Sequence, residues 1–315
     1  KPFLISWTSP VAVSTSKVTC SAALLWLSFL SPSQAGSANV SLRGISELKV
    51  IKADSKNVRI GSMTTLASVM GHSDIRKRFP ALVTAITGIG SPQITNMGTV
   101  GGDLCQRPRC WYFRNGFGLF GKDGDASLVR TGENRYHAIF GNDGAALFVS
   151  ASSLAPALIA LAATISVAGP KGQKRDVPAA QFFQTPKSEN ERETALKPNE
   201  IVTSVNLPVT GLKNATYEVR HREGFDWPYV TATVAFQLKG GMASGARVVL
   251  GHVAPVPWAA AKAAQMLEGA KVDAALAAKC GESAAGGAKP LSGNAYKIQL
   301  VKTAVKRAVL AAAEA

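Results

Sequence analysis

The feature that most constrains this chain is the run from Ser91 to Ser150, where neither a helical nor a strand-like apolar period is sustained. Ser91-Pro92-Gln93-Ile94-Thr95-Asn96-Met97-Gly98-Thr99-Val100-Gly101-Gly102-Asp103-Leu104 reads as a polar, glycine-bearing loop without a helical stripe. Residues 105–150 then interleave Arg107, Arg109 and Arg114 with Trp111, Tyr112 and Phe113, and pass through Gly-rich text to Glu133-Asn134-Arg135-Tyr136-His137. Aperiodic text of this length inside a compact domain usually serves a function, and regular elements on both sides must hold it.

Those elements are legible. Leu48–Ala53 and Asn57–Ile60 read as short strands around the turn Asp54-Ser55-Lys56. Thr64 or Thr65 can cap a helix through Met70, Ser73 begins another, and Ala81–Ile86 forms a third, stopped by Gly88 and Gly90. Ser152 caps an apolar helix over Leu154–Ala163, followed by strands Thr164–Ala168 and Ile201–Leu207. Composition shifts near Leu207-Pro208. Beyond it come strands Ala215–Arg222, Tyr229–Leu238 and Ala246–Val253, the last two joined by the turn Lys239-Gly240-Gly241. Helices over Trp258–Leu267 and Tyr296–Ala313 close the chain. The last places Ile298, Val301, Val305 and Val309 on one face. The reading is α+β in class: an α/β N-terminal part and a separate α+β domain from residue 208, with no internal repeat.

At 315 residues, 46% hydrophobic and 17% charged, the chain is neither disordered, nor a coiled coil, nor a polytopic membrane protein, and it is long enough for two or three packed units. Its net charge of +15 favours an anionic partner without choosing among nucleotide, nucleic acid, lipid and acidic protein. Four cysteines are too few for a disulfide scaffold. The apolar run Ala22–Leu30 has the shape of a signal peptide, but it follows a leading segment and reads as a buried strand or helix. It is too short to span a bilayer.

Two nucleotide signatures fail. Gly116–Lys122 has Walker A spacing, but Asp123 stands where Ser or Thr should bind magnesium. Gly88-Ile89-Gly90 lacks the third glycine of a dinucleotide fingerprint, and Pro92 intrudes. Thr99-Val100-Gly101-Gly102-Asp103 is a better anion nest, although a plain turn is the simpler account. Cys105 and Cys110, with four residues between them, suit a metal site or two unligated thiols. His137, His221 and His252 are scattered and read as hydrogen-bonded strand or loop residues. The Arg/aromatic cluster could stack single-stranded nucleic acid, and fits a subunit interface better.

Taken together, Ser91–Arg114, Gly132-Glu133-Asn134-Arg135-Tyr136-His137-Ala138-Ile139-Phe140-Gly141, Val248–Trp258 and Asn294-Ala295-Tyr296-Lys297 resemble the FAD-binding medium subunit of molybdenum hydroxylases. The likeness is greatest to the medium subunit of bacterial aldehyde oxidoreductases of the xanthine dehydrogenase type. It implies a vanillyl-alcohol-oxidase-like, PCMH-type FAD-binding domain over 1–207, with α/β subdomains of about 1–47 and 48–207 and an insertion at 105–150. A small C-terminal domain over 208–315, like that of the CO dehydrogenase flavoprotein, would hold a three-stranded antiparallel sheet with helices.

The same resemblance implies a heterotrimer. A large molybdopterin subunit would oxidise an aldehyde, and a small subunit with [2Fe–2S] clusters would pass electrons to FAD here, for delivery to an external acceptor. It implies neither a nucleic-acid partner nor a membrane span, and leaves bacterial cytoplasm and periplasm both open. An FAD-less scaffold of the same fold is the first alternative, and a basic nucleic-acid-binding module the second.

Residue by residue, it assigns Asn96, Thr99, Gly101, Gly102 and Asp103 to the second diphosphate loop. Ile60, Gly61, Thr64 and Thr65 would lie near the ADP part of FAD. Ser153 and Leu154 would lie near the isoalloxazine, with Ser153 replacing an acid, and Val202 would present an aliphatic side chain to it. For the first diphosphate loop only Ala35-Gly36-Ser37-Ala38-Asn39 matches, offering Gly36 and Ser37. The subgroup also holds a [4Fe–4S] cluster on four cysteines in this insertion. Cys105 and Cys110 are kept, the later two are replaced near Gly118–Ser127 and Ala145–Leu147, and two thiolates hold such a cluster poorly.

Overall fold

The computed structural model describes residues 40–222 and 226–315. The apolar run at 22–30, the loop carrying Gly36 and Ser37, and most of the first expected subdomain lie outside the described residues.

Asp54 turns β1 (Ile51–Ala53) into β2 (Asn57–Gly61): its Oδ1 accepts from Lys56 N at 2.7 Å and Asn57 N at 2.8 Å. Three short helices follow, α1 (Leu66–Gly71), α2 (Ser73–Arg78) and α3 (Pro80–Thr87). Thr65 caps the first, its Oγ1 accepting from Ser68 N at 3.2 Å.

The stretch expected to be a loop at 91–104 is helical. Ser91 caps α4 (Pro92–Met97) and Thr99 caps α5 (Val100–Leu104), accepting from Ile94 N at 3.3 Å and Gly102 N at 3.1 Å. Helices of six and five residues are too short to print an apolar stripe, so only their caps betray them.

The insertion stays largely irregular, with α6 (Trp111–Arg114), the two-residue strands β3 (Lys122–Asp123) and β4 (Ala126–Ser127), and α7 (Leu128–Thr131). Then come α8 (Ala155–Ala160), shorter than the expected Leu154–Ala163, β5 (Thr164–Ala168), β6 (Lys174–Pro178), α9 (Ala179–Phe182) and β7 (Ile201–Pro208). The first sheet runs β1-β2-β7-β5-β6, every pair antiparallel. One core cluster joins Val58, Ile60, Val205 and Leu207 of this sheet to Leu66, Leu82, Ile86 and Leu158 of the helices.

The second sheet has four strands among the described residues, not three: β8 (Lys213–Val219), β9 (Val230–Lys239), β10 (Met242–Gly251) and β11 (Trp258–Ala259), in the order β11-β10-β9-β8. Trp258 thus opens an edge strand, paired to Leu250, where a helix is expected. That helix, α10, covers only Ala261–Leu267, and α11 (Ala274–Ala285), capped by Asp273, was not anticipated. Helix α12 (Tyr296–Glu314) buries Val301, Val305 and Val309 as its stripe requires, with Ile298 half-buried.

One face of the second sheet takes α10–α12, and α3 and α8 of the first unit pack against its other side. Strand β9 is therefore buried on both faces, with Ala232, Val234 and Phe236 in one cluster and Ala235 packing with Ala160 and Val249 in another.

Candidate functional site

The expected phosphate loop pairs with residues 62–66, the segment that follows β2. Thr65 and Thr99 form a bridge, Leu66 N donates to Gly98 O, Val100 N to Thr64 O at 3.1 Å and Gly101 N to Ser62 O at 2.7 Å. Glycine permits this approach: a Cβ on Gly101 would lie 2.9 Å from Ser62 Cβ, and one on Gly61 would lie 2.2 Å from Leu48 O.

The same contacts correct the nest reading. The N–H groups of residues 100–103 are spent on Thr64 O, Ser62 O, Thr99 Oγ1 and Thr99 O, so none is left to cradle an anion. Two hydroxyls remain. Ser62 Oγ and Thr64 Oγ1 are buried with no hydrogen-bond partner among the described residues. Buried polar atoms are normally paired, so the orphans mark a place for a polar ligand.

Asp103 faces inward. Its carboxylate accepts from Ser152 Oγ at 2.5 Å, Leu154 N at 3.1 Å, Ser153 N at 3.4 Å and Gln106 Nε2 at 3.0 Å. Burial pushes this carboxyl above its ordinary range, while the bonds from Ser152, Leu154 and Ser153 pull it back. Asp103 thus ties the loop at 152–154 to the end of α5. Ile60 and Val202 lie in the first core cluster, and Asn96 is exposed, its Nδ2 donating to Pro92 O.

Arg109 continues outward from this knot. Its guanidinium donates to Gln106 Oε1 and lies 3.2 Å from the ring centroid of Trp227. Arg107 pairs with Glu193 at 2.8 Å and sits over Phe113, so much of the Arg/aromatic cluster is spent inside the chain.

The Walker-like glycine loop holds an anion after all, but it is the protein's own. Glu189 accepts from Leu119 N at 2.5 Å and Phe120 N at 3.0 Å, and a Cβ on Gly118 would meet that carboxylate at 3.0 Å. His137 is hydrogen-bonded as expected, its Nε2 lying 3.2 Å from Cys110 Sγ, whereas neither ring nitrogen of His252 has a partner among the described residues. Burial and the nearby Lys297 hold both imidazoles neutral, at about 4 and about 3.

Residues 28–210 match the model of the FAD binding domain in molybdopterin dehydrogenase, and residues 215–312 match the CO dehydrogenase flavoprotein C-terminal domain. The chain belongs to this flavoprotein family. Among its relatives, the aldehyde oxidoreductase FAD-binding subunit PaoB of Escherichia coli is 30% identical over 282 residues, covering 88% of this chain and 84% of that protein. The carbon monoxide dehydrogenase medium chain of Afipia carboxidovorans is 29% identical over 74% of this chain and 65% of its own length. A chain of quinoline 2-oxidoreductase from Pseudomonas putida 86 shares the fold, with a TM-score of 0.67 at 23% identity, over 89% of this chain and 82% of that one.

For this member of the flavoprotein family, the two orphan hydroxyls of Ser62 and Thr64 fit the polar groups of FAD. The cysteines do not fit a [4Fe–4S] cluster. No three His, Cys, Asp or Glu side chains converge among the described residues. Cys105 lies against the first core cluster, whereas Cys110 lies against a small one of Leu119, Phe120, Ala146 and Phe148. Burial raises the Cys110 thiol, which disfavours the thiolate a metal needs. Sequence reasoning missed Ser62 as a candidate, although it stands within the Gly61–Thr65 segment it had singled out.

Proposed function

We propose that this chain is the FAD-binding electron-transfer subunit of a heterotrimeric, molybdenum-containing aldehyde oxidoreductase. The match to PaoB over 84% of that subunit's length carries the reading, and the orphan hydroxyls of Ser62 and Thr64 support it. Residues 1–207 would form the FAD-binding domain, with subdomains at about 1–47 and 48–207, and 208–315 the C-terminal domain. Matches over 28–210 and 215–312 support that division.

FAD when bound supplies a centre that accepts electrons singly or in pairs and passes them on. The chain's part is to hold and shield it. Ser62 and Thr64 offer hydroxyls, with Thr65, Thr99, Gly101 and Gly102 forming the close-packed wall, and Gly36 and Ser37 are assigned to the first diphosphate loop. Asp103 fixes Ser153 and Leu154 in position. Ile60 and Val202 back the site from the core, and Asn96 is the outermost member.

Electrons would arrive from [2Fe–2S] clusters of a small subunit, after aldehyde oxidation at the molybdopterin of a large one, and leave to an external acceptor. Among the described residues no helix is long and apolar enough to cross a membrane. Acid release of flavin from the purified complex tests the reading. One FAD per copy of this chain is expected, and a complex without releasable flavin would overturn it.

A further inference from the structure

Ring contacts among the described residues gather into one unbroken row. Tyr112 and Trp111 of α6 meet edge to face, 6.2 Å between centroids, and Trp111 meets Tyr136 at 5.4 Å. Tyr136 stacks on Tyr229 at 5.4 Å, and Tyr229 meets Tyr296 edge to face at 5.8 Å. Separate stretches of sequence supply the row: the insertion, the residue before β9 and the first residue of α12.

Its composition is not what packing alone selects. The chain has 12 phenylalanines against 5 tyrosines, yet Tyr112, Tyr136, Tyr229 and Tyr296 all lie in the row, and no phenylalanine ring joins it among the described residues. Phenylalanine fills apolar space with no hydroxyl to satisfy. Tyrosine and tryptophan are the aromatic side chains that give up single electrons most readily.

The two ends of the row differ. At the inner end, the rings of Trp111 and Tyr112 lie 6.1 Å and 6.0 Å from that of His137, which is 3% exposed. His137 in turn holds the half-buried Cys110 thiol. At the outer end, Tyr136 is 41% exposed and Tyr296 40%. An oxidised tyrosine must release its phenolic proton, and Tyr136, open to water, can release it there. The thiol has the most to lose, because cysteine oxidised beyond the sulfenic acid is not recovered by thiols.

We propose that this row carries one-electron oxidation away from the Cys110–His137 pair to the protein surface, where a soluble thiol quenches it. An oxygen-centred radical takes one electron and the indole proton from Trp111 and leaves reduced and protonated. Tyr136 passes one electron to Trp111 and its phenolic proton to water, Trp111 recovers a proton from water, and a neutral tyrosyl radical stands at the surface. The soluble thiol returns one electron and one proton to Tyr136, and two of the resulting thiyl radicals join as a disulfide.

Pulse radiolysis of the full chain in azide solution tests the path, because the azide radical oxidises tryptophan first. In the wild type the tryptophanyl absorption is expected to fall as the tyrosyl absorption rises, at a rate independent of protein concentration. Trp111→Phe and Tyr136→Phe keep an aromatic ring in place, and each is expected to abolish the fastest phase of that conversion. Tyr217→Phe, at the tyrosine outside the row, is expected to leave it unchanged. Under steady radical generation with glutathione present, mass spectrometry is expected to find several-fold more sulfinic and sulfonic acid at Cys110 in Trp111→Phe and Tyr136→Phe than in the wild type. A fastest phase that survives in both variants, or Cys110 oxidation that stays at the wild-type level in them, overturns the proposal.

Discussion

Lys297 offers a perturbation whose size can be worked from contacts. It is 1% exposed, and its Nζ donates to Tyr136 O at 3.0 Å, His137 O at 3.1 Å and His252 O at 2.9 Å. Three ammonium protons therefore meet three backbone carbonyls, binding the insertion and the end of β10 to α12. Lys297→Met keeps most of the volume and removes the donor. His137 O keeps Asn294 Nδ2 as a partner at 3.1 Å, but Tyr136 O and His252 O are left bare. Two orphaned carbonyls cost about 1–3 kcal/mol each, and removing a buried charge returns part of this, so a net loss of about 2–3 kcal/mol is expected.

The loss should depend on pH. Burial lowers the Lys297 ammonium from 10.5 to about 7, so the unfolded chain holds this proton more tightly than the folded one. Below pH 7 the lysine is charged in both states and the burial penalty is borne in full. Between about 7 and 10.5 that penalty is relieved, and stability rises by up to about 1.4 kcal/mol per pH unit relative to the variant. Urea unfolding of the full chain and of Lys297→Met, followed by circular dichroism at pH 6.5, 8 and 9.5, measures both effects. A variant as stable as wild type at pH 9.5, or a gap that does not widen with pH, would refute the reasoning.

Asp103→Ala strands the Ser152, Leu154 and Gln106 donors and should cost about 3 kcal/mol or more, with Asp103→Asn closer to wild type in thermal unfolding. Glu189→Gln can no longer accept from both Leu119 N and Phe120 N, and should speed limited proteolysis within 105–150 while the rest of the chain resists. Gly61→Ala drives a Cβ into Leu48 O, so low soluble yield or a large fall in melting temperature is expected. Cys110→Ser should leave the iron content of the purified complex unchanged, and a fall in iron would show a cluster after all.

What the sequence disclosed followed from how local each signal is. Strands β5, β7 and β9 and the long helix α12 carry their period within themselves, and their bounds shift by a few residues at most. Helices α4 and α5 are too short to carry a stripe, although Ser91-Pro92 and Thr99 are plain starting signals. Strand β11 is two residues long and exists because β10 offers an edge, which no window around Trp258 contains.

At the site, Thr99–Asp103 stood out through its glycines, yet Asp103 turned out to bind its own chain. Glu218, Thr231 and Gly251 show a different limit: they have no shared spacing, and only the strand register sets them in one row.

The order of strands in the first sheet has a consequence for synthesis. β1–β2 and β5–β6 are each a finished hairpin, but β7, the strand that lies between them, is the last to be made. Until residues 201–208 leave the ribosome, two half-sheets carry open edges on β2 and β5 with nothing to cover them. An interval of this kind exposes a nascent chain to mispairing with its neighbours. A chain stalled or cut between α9 and β7 would keep both edges open permanently, so its fragments should aggregate even though each hairpin is locally complete.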